Sequence, residues 1–213
     1  AYTIFFIIIA ALFLGCWNAL KEIVGERAIY RRERMVNLKI PSYVASKFTV
    51  LGGLLVFVQC PILLGIVYAG ANLQGDIPSM LGVTILTALV ALAIGLAISA
   101  AVRTSETATS IAILIMIVMI LMAGAIVHPH EMGGAARFVA NFVASKWGFE
   151  ALLLQDSAGR PSWTVGSDHN SMAAPFFPAN QQVGPGSGVF ILFIMLISLV
   201  AGTIAILKAK DTH

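Results

Sequence analysis

Charge is scarce in this chain, and it is absent where it would cost most. Only 11% of the 213 residues are Asp, Glu, Lys or Arg, against 59% hydrophobic. That composition excludes a soluble domain and marks an integral membrane protein. Cysteine is limited to Cys16 and Cys60, each inside an apolar run where a small buried thiol is ordinary, so neither implies a disulfide, a metal or a redox role. No Gly-x-x-x-x-Gly-Lys-Ser/Thr sequence occurs, which excludes ATP binding through a phosphate loop in this chain. Ser, His and acidic residues form no nucleophile arrangement, so the chain is not expected to be an enzyme by itself. A basic stretch ahead of the first apolar run is also missing, against a signal peptide. The start at Ala1, without Met, is expected to lie partway through a longer protein.

Five stretches are long and apolar enough to span a bilayer: about 1–20, 48–70, 79–102, 107–127 and 187–207. Seven of the thirteen Lys and Arg residues fall between the first two, in the segment 21–47. Alternating the spans puts 21–47, 103–106 and 208–213 on one side with ten basic residues, against Arg137, Lys146 and Arg160 on the other. The basic side is expected to be cytoplasmic, in a multi-pass protein of the plasma or inner membrane. The basic excess is therefore a topology signal, and nucleic acid is not an expected partner.

Within the spans, Gln59 and Pro61 predict a kink, and Ala91, Gly95 and Ser99 form a small-residue stripe that lets helices approach closely. The break Arg103–Glu106 predicts a tight turn with Thr104 or Ser105 as helix cap. The outer segment 128–186 divides in two. Ala135, Phe138, Val139, Phe142 and Val143 repeat at helical spacing, as an interfacial or re-entrant element; 156–186 is a Pro-, Gly-, Ser- and Asn-rich cap. His128, His130 and Glu131 are close in sequence, but Pro129 separates the histidines, and an aqueous approach to a helix is the preferred reading over a metal site. Ion-coupled carriers need a carboxylate or unwound ion site at membrane depth. Here only Glu150 would qualify, if 132–155 dips into the bilayer. Energy for transport is expected from outside these helices, from a motor docking on 21–47.

Three stretches carry a family likeness. They are Glu26-Arg27 through Tyr30, Arg32-Glu33-Arg34, Tyr43 and Lys47; Ser99 to Gly124; and Trp147-Gly148-Phe149-Glu150-Ala151-Leu152. Together they resemble the membrane domain of ABC-2-type exporters, in particular the subfamily with the eukaryotic ABCG (White/pleiotropic drug resistance) transporters. The resemblance implies an all-α integral membrane bundle with a cytoplasmic coupling helix and an outer re-entrant helix, one ABC-2-type transmembrane domain over 1–213 that lacks its first span. It also implies a nucleotide-binding domain, fused or separate, that binds ATP and Mg, and pairing with a second membrane domain. Glu26, Arg27, Arg31, Arg32, Glu33 and Arg34 would then couple to the ATPase. Phe13, Ile113, Ile117 and Ile120 would line the path of a lipophilic or amphipathic substrate, with Ala125-Ile126 in the place of the apolar plug. The absence of outer-loop cysteines and the sequence Leu38-Lys39-Ile40, where an aromatic is common, point to a bacterial relative. A non-transporting membrane anchor or scaffold is the alternative; a channel or secondary carrier is disfavoured by the missing acids.

Overall fold

The computed structural model describes residues 2–35, 39–71, 73, 75–126, 133–158 and 185–211. Among them every regular element is a helix. In chain order these are α1 (Tyr2–Ala19), α2 (Glu22–Gly25), α3 (Arg27–Met35), α4 (Ile40–Leu54), α5 (Cys60–Gly70), α6 (Ile77–Ala101), α7 (Ser105–Met122), α8 (Gly134–Ala140), α9 (Ala144–Ala158) and α10 (Pro185–Asp211), with a π-helical turn, Leu55–Gln59, joining α4 to α5. Five helical stretches are long and apolar enough to cross a membrane: Tyr2–Gly25, Ile40–Gly70, Ile77–Ala101, Ser105–Met122 and Gly186–Lys210. The second starts earlier than the apolar run at 48 suggested, because Pro41 occupies its first turn, where no backbone donor is needed, and Lys39 ahead of it is extended.

The starts of α6 and α7 follow from their caps. Asp76 accepts from the Ser79 backbone N–H at 3.2 Å and from the Ser79 hydroxyl at 2.8 Å. Of the two caps expected in the turn before α7, it is Thr104 that takes the role, accepting from Thr107 N–H at 3.3 Å. The end of α7 differs from the expected span. The helix stops at Met122 because Gly124 turns into the left-handed region (φ 94°), a conformation open to glycine and costly for other residues, so Ala125 and Ile126 lie beyond the helix. The irregularity expected around Gln59 and Pro61 takes the form of the π turn. Pro61 has no N–H to return to the preceding turn, and the Cys60 N–H reaches back five residues to Leu55 O.

At the centre stands α6, apolar all round and buried along most of its length, with α1, α9 and α10 packed on it. The α1–α6 crossing is the tightest of these. A Cβ added at Gly15 would stand 2.1 Å from Ala88 O, and one added at Gly95 would stand 2.6 Å from Cys16 O. The backbones therefore touch, and the stripe Ala91, Gly95, Ser99 is the face of α6 turned to α1. Buried Ile4, Ile8, Leu12, Phe149, Leu152 and Leu192 fill the adjoining core. By contrast α7 commits one face to the bundle (Ala108, Ala112, Met116, Met119) and leaves Ile113, Leu114, Ile117 and Leu121 outward.

In the outer segment, the helical repeat expected from Ala135 to Val143 is interrupted. α8 ends at Ala140, a turn follows at Asn141 and Phe142, and α9 starts anew. Ala135, Phe138 and Val139 of the first piece stay outside while Ala140 is buried, and Phe138 and Phe142 meet edge to face at 5.2 Å. The second piece is buried from Ala144 to Leu153. Most of the cap expected over 156–186 lies outside the described residues.

Because the Ala88 carbonyl rather than the end of a flexible side chain opposes Gly15, Gly15→Ala is expected to lower stability by about 1–3 kcal/mol or more. Gly82→Ala, on the same helix pair but facing open space, is the control and should hold stability or raise it by up to about 1 kcal/mol, since alanine favours the helix. Thermal unfolding of the two variants in detergent measures the difference.

Candidate functional site

After α1 the chain bends at Leu20 and Lys21, and α2 begins with backbone donors that no preceding turn can satisfy. A neighbouring helix supplies the acceptor: Ser99 Oγ receives Ile23 N–H at 3.1 Å and Val24 N–H at 3.0 Å. Ser99, Ile23 and Val24 are all buried. The basic segment is thereby stitched to α6 at the point where the stripe of small residues ends.

A second fastening ties the same segment to α4. Lys47 Nζ lies 2.9 Å from Glu22 Oε2 and 2.6 Å from Glu26 Oε2, with its side chain only 20% exposed. Its charge also sits 6.0 Å from the centre of the Tyr43 ring, and Tyr43 packs on Tyr30 of α3 with centroids 5.0 Å apart. A partly buried cation shared by two carboxylates is worth more than a solvated surface pair. α2 and the Glu26 that follows it are thus joined to α4 through Lys47, and α3 through the Tyr30–Tyr43 ring contact.

Of the residues expected to couple, Glu26 belongs to this clamp and Arg27 lines a recess beside Lys210. Arg32 and Glu33 are exposed on α3, free to meet another protein. The side chains of Arg31 and Arg34 lie outside the described residues. Sequence reasoning passed over Glu22, Ser99 and Lys210 as site residues. Lys210 Nζ donates to Ala100 O at 2.7 Å and Ala101 O at 2.5 Å, so a cation of α10 covers the carbonyl end of α6. Only its place in the last turn of an apolar helix hinted at this.

The expected path residues do not form one enclosed channel within the chain. Phe13 (38% exposed), Ile113 (47%), Ile117 (48%) and Ile126 (53%) present apolar side chains outward, Ile120 is half-buried against the core, and Ala125 is buried. Phe13 pairs with the outward Trp17 at 6.4 Å, and α1 and α7 are neighbours. On the flank of α1 an open apolar recess of about 520 Å³ runs toward α5, between Tyr2, Phe6, Ala10, Leu63 and Val67. Nearby, Asn18 Nδ2 donates to Gln59 Oε1 at 2.7 Å, pinning α1 to the π turn.

The outer motif Trp147–Leu152 lies on α9 and is structural to a large degree. Trp147 Nε1 donates to Asn141 O at 2.8 Å, Ser145 Oγ to Met119 O at 2.5 Å, and Phe149 meets Phe5 edge-on at 5.9 Å. Gly148 leaves room only for the Thr87 side chain. Glu150 is 2% exposed among these contacts, so it faces the interior of the bundle. No group of His, Cys, Asp and Glu able to hold a metal occurs among the described residues; His128, His130 and Glu131 lie outside them. Cys16 and Cys60 are buried free thiols.

Compared with protein-family models, residues 1–154, from α1 into α9, match the one described as ABC-2 type transporter. A comparison with curated proteins returned no match. Membrane domains of this family are permease components of ABC transporters, set in the bilayer and partnered by an ATPase domain.

Ser99→Ala would leave two buried N–H groups without an acceptor, at a cost of about 1–3 kcal/mol. Hydrogen exchange should accelerate at the Ile23 and Val24 amides in this variant, while the α9 amides keep their protection.

Proposed function

Since the chain belongs to the ABC-2 type transporter family, we propose that it is the membrane half of an ATP-driven exporter for a lipophilic or amphipathic substrate. The likeness of its motifs favours an ABCG-like, bacterial member. It works as a dimer with a second membrane domain, identical or not, and with a nucleotide-binding domain, fused or separate, that binds ATP and Mg. The observation that carries this reading is the double fastening of the basic segment, by Lys47 to α4 and by Ser99 to α6. A segment that served only to set topology would need positive charge alone. One that transmits force must be stiff and attached to the helices it moves.

On this reading the ATPase meets the exposed Arg32 and Glu33 of α3, with Arg31 and Arg34 on the same short helix. Closure of the motor domains pushes the α2–α3 block. Glu26 and Glu22 pass the displacement to Lys47 and α4, and the Ser99 contact passes it to α6 and, through the tight crossing, to α1. The outward apolar faces of α1 and α7, bearing Phe13, Ile113 and Ile117, pair across the dimer axis. They enclose a path without charge, closed at its outer end near Ala125 and Ile126. An uncharged lining favours cargo whose own desolvation is cheap.

Two measurements on the full transporter in lipid vesicles test this. Lipophilic compounds should stimulate ATP hydrolysis by the wild type, and Lys47→Ala, or Glu33→Ala with Arg34→Ala, should lose the stimulation. An unchanged response would reduce the segment to a topology anchor in a non-transporting subunit. Separately, Ile113→Asp with Ile117→Asp should cut transport at least tenfold, because each places a carboxylate on an apolar path; undiminished transport would move the path elsewhere.

A further inference from the structure

The second span is held unevenly along its length. Toward the basic end α4 is tied down: Lys47 meets Glu22 and Glu26, Tyr43 and Val44 are buried, and Gly52 lies against Leu89 of α6. Beyond the π turn, α5 fully buries Cys60 and Leu64 alone, and Leu63, Val67 and Tyr68 are half-buried. Open recesses flank it on two sides. The one of about 520 Å³ lies between Leu63 and Val67 of α5 and Tyr2, Phe6 and Ala10 of α1. Another, of about 260 Å³, lies between Pro61, Leu64 and Tyr68 and the start of α6 at Ile77 and Leu81. α5 therefore meets the bundle along a narrow line, with space to either side.

The joint below α5 is one that bends. The Cys60 N–H reaches back five residues to Leu55 O, and Pro61 has no N–H with which to continue an α-helical ladder to Phe57 O. The base of the joint is fixed all the same. Asn18 Nδ2 donates to Gln59 Oε1 at 2.7 Å, and Leu55 and Cys60 are fully buried. At its other end α5 stops at Gly70, and the chain is next anchored at the buried Leu73. Three extended residues reach about 10 Å, so this tether bounds a swing without forbidding it. A bilayer fills open recesses with fluid lipid tails, which yield to a moving helix where a close-packed interior would resist.

We propose that α5 is a hinged flap, pivoting on the π turn above the Asn18–Gln59 latch, that closes and opens the recess on the flank of α1 while α4 stays fastened to α2 and α6. Movement toward α1 shrinks the larger recess and widens the smaller one, and the return movement does the reverse. The polar latch lies at the pivot, where a swing displaces it least. The flap needs only a chain embedded in a bilayer, and it stands or falls apart from the exporter reading.

Distances between pairs of spin labels test this in the full transporter in lipid nanodiscs, with labelled chain diluted in unlabelled chain so that each distance lies within one chain. Trp17→Cys on α1 is paired with Ile66→Cys on α5 or with Val50→Cys on α4, all three being exposed positions. The α1–α5 distance distribution should be about twice as wide as the α1–α4 one. Pro61→Ala, which restores a donor for Phe57 O, should narrow the first toward the second and leave the second as it is. Gln59→Leu, which removes the latch, should broaden the first further. Equal widths in the wild type overturn the flap. A broad α1–α5 distribution that neither variant changes overturns the π turn as its hinge.

Discussion

The backbone-to-backbone crossing of α1 and α6 is the constraint on which the rest of the molecule hangs. In lipid, apolar side chains gain little by leaving one hydrocarbon environment for another, so helices associate where their surfaces fit most closely. Gly15 against Ala88 and Gly95 against Cys16 bring two main chains into direct contact, with no side chain between. That closeness sets the height of α1 against α6 and brings Ser99 to the bend where α2 begins. Widening the crossing by one methyl group would pull the Ser99 hydroxyl away from two donors that have no other described acceptor.

Around this crossing, polar groups inside the apolar bundle are matched locally or across one helix pair, as a membrane requires. Thr84 and Thr87 return their hydroxyls to the carbonyls of their own helix, Met80 and Val83. Asn18 and Gln59 satisfy each other between α1 and the π turn, and Ser145 closes α9 onto α7 through Met119 O. At the basic end the same economy yields attachments between the basic segment and two spans. α2 and the Glu26 that follows it are joined to α4 by ionic contacts and α2 to α6 by hydrogen bonds, α3 meets α4 through Tyr30 and Tyr43, and Arg32 and Glu33 of α3 stay exposed. The exposed apolar faces of α1 and α7 are what a membrane-embedded partner or lipid would cover.

The five spans were legible because uncharged runs of this length have few other uses, and the Thr104 cap and the small-residue stripe followed from local chemistry. The end of α7 was not. Val127 continues the apolar pattern past Gly124, and only the positive φ of that glycine reveals the stop. The clamp was half visible: Lys47 and Glu26 were prominent as charges, but their meeting across a turn depends on how α2 folds back on α4, which no periodicity encodes. Lys210 read as a topology charge because the carbonyl end it covers belongs to a helix over a hundred residues earlier. Glu150 was expected to matter only if its segment dipped inward; α9, packed against α1, α6 and α10, buries it to 2% exposure.

The central claim is that the block of α2, α3 and α4 moves the spans as one body when nucleotide binds. A spin label at Ile113→Cys, on the outward face of α7, reports this most directly, and the native Cys16 and Cys60 are too buried to compete for the label. A non-hydrolysable ATP analogue should change the mobility of that label in the full transporter, and Lys47→Ala should abolish the change. If the label responds equally without Lys47, the motion reaches α7 by another route and the clamp is not the transmission element.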